Sequence, residues 1–286
     1  MGQGTNLSIR RPRQTFATLA VPVAPHNLHP KCRSRVGIPG IGGLVTDCRC
    51  RNGKTIYHQL VHLRVLQACV FDAYGTLFDF AAAARKVLGD DTSFITLWRD
   101  KQLQYTWLRA AQERHADFLQ VTGDALDFAL ETIRSKKSDV RDQLMSLFVT
   151  LDPFPEVPNV LRKLKTAGMR TAILSNGSPA MLDAAVKAAR LEPLLDAVLS
   201  VEEVGVYKPH PKVYQLAVDR LAIPASAITY VSSNAWDAYA ASAFGMQVVW
   251  CNRYAQRPER LPGSPDREIG SLAQLPALVG QLESTI

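Results

Sequence analysis

The feature that most limits what this chain can fold into is an alternation. Short apolar runs, each stopping at small polar residues, take turns with segments of helical period. Residues 157–167 have the helical pattern and close at Gly168. Residues 170–174 read as a strand that stops at Ser175-Asn176-Gly177. The pattern then predicts helix over 179–189, strand over 197–200, helix over 211–221, and strand over 227–231 ending at Ser232-Ser233-Asn234. A helix over 237–244 and a strand over 247–251 finish the series. An earlier apolar run, 66–70, precedes the stretch FDAYGTLFD at 71–79, where Gly75 permits a sharp turn after Asp72. Strands that alternate with helices pair in parallel and are covered on both faces. The expected fold class is therefore α/β, with a doubly wound parallel sheet.

Between these stretches, residues 80–152 hold no good strand. Phe94, Leu97, Trp98, Tyr105 and Leu108 recur at three- and four-residue steps. The pattern predicts a second helix over 110–121, a break at Gly123-Asp124, and further helices over 125–133 and 140–150. The prolines Pro153, Pro155 and Pro158 bound the segment. It reads as an all-helical insertion over 80–152 in a core domain made of 65–79 and 153–286.

Residues 1–64 show no sustained period and read as a weakly ordered basic extension. SIRRPRQTF at 8–16 faintly resembles a twin-arginine export signal, but the apolar stretch that follows is short and broken by proline. Cys32, Cys48 and Cys50 have no common zinc spacing relative to the nearby histidines. The net charge of +7 arises here: residues 1–66 hold ten of the 33 basic residues and one of the 26 acids. The remainder carries 23 bases and 25 acids, so the globular part has no excess that would draw it to nucleic acid. No apolar run is long enough to span a membrane. Five cysteines without regular spacing argue against a disulfide framework and for a reducing, cytoplasmic setting, with Cys69 a buried thiol.

In a parallel sheet every strand's C-terminal end lies on one edge, where such folds bind ligands. That edge collects Asp72, Tyr74 and Thr76 from the first strand, Ser175 and Asn176 from the second, and Lys208 from the loop before the 211–221 helix. Tyr214 lies in that helix's first turn, and Ser232, Asn234 and Asp237 follow the fourth strand. Each alone has an ordinary reading as a helix cap or surface residue. Four strand ends so furnished point to a site.

The order D-x-x-G-T, S-N, K-P and a late acid resembles that of the haloacid dehalogenase (HAD) superfamily, with its Rossmann-like core. FDAYGTLFD, WRDKQLQYTWLR at 98–109, LSNG at 174–177, YKPHPKVY at 207–214 and VSSNAWDA at 231–238 narrow it to the L-2-haloacid dehalogenases, over about residues 66–255 including a helical cap. The superfamily's phosphatases carry D-x-D-G-T and a last motif rich in acids, which together hold magnesium. Here the second Asp is Tyr74, and one acid, Asp237, stands where two are expected. Magnesium prefers clustered hard oxygens. A metal-free, cofactor-free reaction follows more naturally.

The resemblance implies hydrolysis of small L-2-haloacids to D-2-hydroxy acids with inversion, through an aspartyl ester. Asp72 would be the nucleophile, with Lys208 beside it to keep it ionised. Backbone N–H groups after the first strand, with Thr76, Ser175 and Asn176, would hold the substrate carboxylate. Arg99, helped by Asn176 and Trp236, would receive the halide. Asp237 would activate water, oriented with Ser232, Asn234 and Tyr214. Tyr74, Leu103, Phe118 and Trp236 would wall the pocket. A homodimer is also implied, with no nucleic-acid or membrane partner. Two alternatives stay open at this point: a phosphatase of the superfamily, and a binding protein whose basic extension engages nucleic acid or an anionic surface.

Overall fold

The computed structural model describes residues 66–89, 91–132 and 140–284. The expectations for residues 1–64 lie outside them. Six parallel strands form one sheet: β1 (Ala68–Phe71), β2 (Arg170–Ser175), β3 (Ala197–Ser200), β4 (Ile228–Ser232), β5 (Gln247–Cys251) and β6 (Arg267–Ile269). Their order across the sheet is β3-β2-β1-β4-β5-β6. The chain winds outward from β1 in one direction through β3, then restarts at β4 and winds the other way. The reversal falls between β1 and β4, the position at which doubly wound sheets open a crevice.

All four residues of β1 are buried, and each pairs with β2 on one side and β4 on the other: Phe71 lies opposite Ile173 and Val231. A strand enclosed on both edges and both faces needs the unbroken apolar run ACVF. Cys69 is buried within it, and burial pushes its thiol up to about 12, so it stays protonated. The covering helices bury one stripe each. In α5 (Val157–Thr166) the stripe is Val157, Val160, Leu161 and Leu164. In α6 (Pro179–Ala188) it is Met181, Leu182, Ala185 and Val186, and in α7 (Pro211–Leu221) it is Val213, Tyr214, Leu216, Ala217 and Leu221. Each large aliphatic side chain so buried contributes roughly 1.5–3 kcal/mol.

Between β1 and α5 the chain is helical: α1 (Phe80–Leu88), α2 (Thr92–Ala111), α3 (Phe118–Thr132) and α4 (Arg141–Ser146). Its two stems are tied together. Phe78 and Pro153 form an antiparallel bridge, Asp79 N–H donates to Asp152 O at 3.1 Å, and Phe154 N–H donates to Leu77 O at 2.9 Å. Rings join the insertion to the loop after β1: Phe148 packs on Tyr74 at 5.2 Å and on Phe80 at 4.8 Å, and Phe80 packs on Trp98 at 5.3 Å.

Several boundaries differ from expectation. No single helix spans 110–121. Instead α2 runs twenty residues to Ala111 and α3 starts at Phe118. Gly123 does not break α3. A glycine costs a helix about 1 kcal/mol, but here it is buried against Arg141 and Met145, where a Cβ would sit 3.2 Å from Arg141 Nη2. Tertiary contact outweighs local preference. The helix expected over 140–150 is shorter, with a 3₁₀ turn over Leu147–Val149. Ser175 and Ser232 belong to β2 and β4, and α8 (Ala235–Phe244) begins before Asp237. β6 and α9 (Leu275–Ser284) had no sequence signal; three residues are too few to show a period, and α9 contains Pro276 and Gly280.

Candidate active site

Asp72 follows β1, held by its N–H donating to Val231 O at 2.9 Å. The chain then turns tightly, with Leu77 N–H donating back to Ala73 O at 2.9 Å and Gly75 at φ +87°. Few residues other than glycine tolerate that conformation. The turn brings Thr76 round to Asp72, where its Oγ1 donates to Oδ2 at 3.0 Å and accepts from Ser233 N–H at 2.8 Å. Asn234 Nδ2 donates to the same Oδ2 at 2.8 Å, and to Tyr74 O at 3.3 Å. Arg253 steadies the turn from outside. Its guanidinium donates to Thr76 O at 3.0 Å and Glu156 Oε1 at 2.7 Å, and stacks over Phe154.

Lys208 is 1% exposed, and each of its three ammonium donors has an acceptor. Nζ lies 2.9 Å from Asp72 Oδ1, 3.0 Å from Asp237 Oδ2 and 2.6 Å from Tyr230 Oη. Burial pulls the ammonium's pKa down, but Asp237 and Asp72 outweigh burial and the net direction is up. Asp237 is wholly buried. Its carboxylate accepts from Tyr214 Oη at 2.7 Å on Oδ1 and from Tyr230 Oη at 2.7 Å on Oδ2. Desolvation raises its pKa, Lys208 opposes that, Asp72 adds to it, and the two tyrosine hydrogen bonds lower it; the net is above the ordinary value of 3.8. Desolvation, then the Asp237 charge, pushes both tyrosine hydroxyls well above their usual range, so they remain donors.

The second strand end faces this group. Ser175 Oγ accepts from Gly177 N–H at 3.1 Å, and Asn176 Oδ1 accepts from Lys208 N–H at 3.1 Å, which ties β2 to the lysine loop. Gly177 is a close approach: a Cβ there would lie 2.9 Å from the Tyr74 ring. The Tyr74 hydroxyl is buried and has no hydrogen-bond partner among the described residues. Its pKa is raised, by desolvation first, with Arg99 opposing. Arg99, half-buried on α2, lies over the Phe80 ring and within electrostatic reach of Asp72 and Tyr74. Burial lowers its pKa and those two groups oppose the shift. Its Nη1 donates to Gln102 Oε1, and Gln102 Nε2 donates to Thr122 Oγ1 at 2.5 Å, fixing the guanidinium from within the insertion. Phe118 stacks on Tyr74 at 6.2 Å.

Thus Asp72, Thr76, Lys208, Ser232, Asn234, Asp237 and Tyr214 meet in one hydrogen-bonded group, with Ser232 Oγ accepting from Asn234 N–H at 3.1 Å. Two residues differ in setting. Leu103 is half-buried on α2. Trp236 meets Trp107 edge-on at 5.5 Å and lines an apolar cavity of about 600 Å³ with Pro209, Tyr214 and Phe244. Sequence reasoning missed Tyr230, Gln102 and Arg253. A tyrosine inside a buried strand was the available signal for the first, because its hydroxyl must find a partner.

The donors do not fit a magnesium ion. An ammonium sits between the two acids, and the remaining neighbours of Asp72 are a hydroxyl and an amide. A divalent cation would be repelled where Lys208 already sits. The group can supply a carboxylate nucleophile, a second carboxylate as base, and a separate guanidinium for an anion.

Comparison with known proteins identifies the family. The family described as haloacid dehalogenase-like hydrolase matches residues 66–245. An (S)-2-haloacid dehalogenase of Pseudomonas sp. (strain CBS-3) is 43% identical over 223 residues, 76% of this chain and 98% of its own. One of Burkholderia cepacia is 42% identical over 215 residues, 73% of this chain and 93% of its own. The solved L-2-haloacid dehalogenase of Xanthobacter autotrophicus with chloropropionic acid covalently bound superposes with a TM-score of 0.70 at 34% identity, covering 76% of this chain and 99% of that one. On these grounds the chain belongs to the haloacid dehalogenase-like hydrolases, among the (S)-2-haloacid dehalogenases.

Proposed function

We propose that this protein hydrolyses small (S)-2-haloalkanoic acids to (R)-2-hydroxy acids through an ester on Asp72. The observation that carries the reading is the Lys208 ammonium at 2.9 Å from Asp72 and 3.0 Å from Asp237. It places one positive charge between the two carboxylates without a metal. Among the described residues Asp72 Oδ2 accepts two hydrogen bonds and Oδ1 one, so the freer lone pair is on Oδ1. Oδ1 attacks C2, the O–C2 bond forms as the C2–halogen bond breaks, and the carbon inverts. Holding the reactants in line is worth roughly 7–11 kcal/mol in favourable cases.

Arg99 receives the departing halide as a permanent, weakly hydrated cation. Water then attacks the ester carbonyl and gives its proton to Asp237. The acyl C–O bond breaks, and the hydroxy acid leaves with a proton and with what was an Asp72 oxygen. Thr76, Ser175, Asn176 and nearby N–H groups serve the substrate carboxylate; Tyr74, Leu103, Phe118 and Trp236 serve its apolar part. We assign residues 65–79 with 153–286 to one domain and 80–152 to a cap. Trp107, Leu108 and Leu119, exposed on α2 and α3, support a homodimer through the cap. The free buried thiols Cys69 and Cys251 support a cytoplasmic setting. Among the described residues no helix is long and apolar enough to cross a membrane.

The test is chloride release from (S)-2-chloropropionate with the product's chirality determined. (R)-lactate at an EDTA-insensitive rate is expected, with ¹⁸O from solvent water entering the peptide that holds Asp72. Strict magnesium dependence, or a peptide that stays unlabelled over repeated turnovers, overturns the reading.

A further inference from the structure

Tyr230 stands in the middle of β4 with its side chain wholly buried. Its ring packs edge-on against Tyr214, with centroids 5.7 Å apart. A phenylalanine would fill that space equally well. The hydroxyl is therefore surplus to packing, and burying one is unfavourable unless it is bonded. It is bonded twice, accepting from Lys208 Nζ at 2.6 Å and donating to Asp237 Oδ2 at 2.7 Å. Lys208 itself reaches the same Oδ2 at 3.0 Å, which closes a triangle.

The two oxygens of Asp237 are thus served unequally. Each carboxylate oxygen accepts at about two sites. Oδ2 takes Lys208 and Tyr230 and is full. Among the described residues Oδ1 takes the Tyr214 side chain alone and keeps one site open. The geometry points to Tyr230 as a positioning residue for the second half-reaction: by filling Oδ2 and bracing Lys208, it directs the proton-accepting lone pair of Asp237 to Oδ1. This rests on the proposed function.

The step it serves is ester hydrolysis. Water adds to the Asp72 ester carbonyl, its proton passes to Asp237 Oδ1, and collapse breaks the acyl C–O bond; the leaving alkoxide takes up the proton. Ester formation at Asp72 does not pass through Oδ1 of Asp237. The charged and titratable groups facing Asp237 are Lys208, Asp72, Tyr214 and Tyr230. Of these, Tyr230 favours the carboxylate form by hydrogen bonding, so losing its hydroxyl also moves the acid limb of turnover to higher pH.

The experiment compares the wild-type enzyme with Tyr230→Phe on (S)-2-chloropropionate by rapid quench. A burst of about one chloride per site near the wild-type rate is expected, then turnover about ten- to a hundred-fold slower. Mass spectrometry should find the ester on the Asp72 peptide as the main steady-state species, and the acid limb of kcat should rise. A hydroxyl with only a structural role would slow both phases together, or neither. No burst and an unmoved acid limb overturn the inference. Tyr230→3-fluorotyrosine keeps the ring and both hydrogen bonds, so it remains informative if the phenylalanine variant fails to fold. Its stronger donation should lower the acid limb, and no shift there also counts against the inference. A wild-type enzyme that releases no chloride overturns the proposed function and this inference together; normal wild-type turnover beside an unimpaired Tyr230→Phe overturns the inference alone.

Discussion

Lys208 is the side chain on which the other charges depend. Its ammonium is 1% exposed, and it separates two acids that would otherwise face one another across a dry interior. Removing one partner of a buried ion group costs about 3–5 kcal/mol, since uncompensated charge is left behind. Lys208→Met should therefore lose chloride release altogether and unfold at lower urea, and a variant of unchanged midpoint would contradict this account. Asp237 sets the pH behaviour. Its carboxyl titrates above the ordinary 3.8, and only the anion accepts a proton, so the ability to hydrolyse the ester is lost as pH falls through that raised value. The acid limb of kcat should lie above pH 3.8, and a rate undiminished down to that pH would rule Asp237 out as the base.

At the scale of elements, Glu202 and Tyr207 fasten the insertion to the sheet by polar contacts. Glu202, in the 3₁₀ turn after β3, accepts from His115 Nε2 at 2.8 Å and from Phe118 N–H, the first of α3, at 3.3 Å. The Tyr207 hydroxyl donates to Ala116 O close by. Glu202 thus caps a helix that belongs to the other layer. Losing such a cap costs about 0.5–2 kcal/mol. Glu202→Ala should raise KM for (S)-2-chloropropionate more than it lowers kcat, because α3 positions Phe118 rather than the carboxylates. Steady-state kinetics decides this, and an unchanged KM would show the latch to be unimportant.

The same elements show what was readable beforehand. Asp72 and Ser175 were legible because apolar runs stop beside them, and that signal is local, whereas Lys208 stands in a loop before a helix and Asp237 lies five residues past the end of its strand at Ser232. The α2–α3 boundary was not legible, because Gly123 is helical only by virtue of what packs on it. Tyr230 was hidden for the opposite reason: inside an apolar strand, a hydroxyl looks like one more ring until its partners are in place. Arg253 lies 177 residues from the Thr76 carbonyl it holds, a separation over which no spacing carries information.

For the whole molecule, charge and chemistry lie in different parts of the chain. Residues 1–66 carry ten basic residues and one acid, whereas the assigned site residues fall between Asp72 and Asp237. A protein lacking residues 1–63 should keep kcat and KM within about two-fold of the full chain, because the deleted stretch contributes none of those groups. A loss of folding or activity on that deletion would show the first segment to be part of the working enzyme.

The paired stems at Phe78–Pro153 and Asp79–Asp152 have a consequence for how such a protein diversifies. The polypeptide departs and rejoins within one hydrogen bond's length, so whatever is spliced between those points need not disturb the strands beneath. Exchanging that segment for a foreign lid is then a transplant with a ready-made suture. It would alter which molecules are admitted while leaving the ammonium and its two acids in register below.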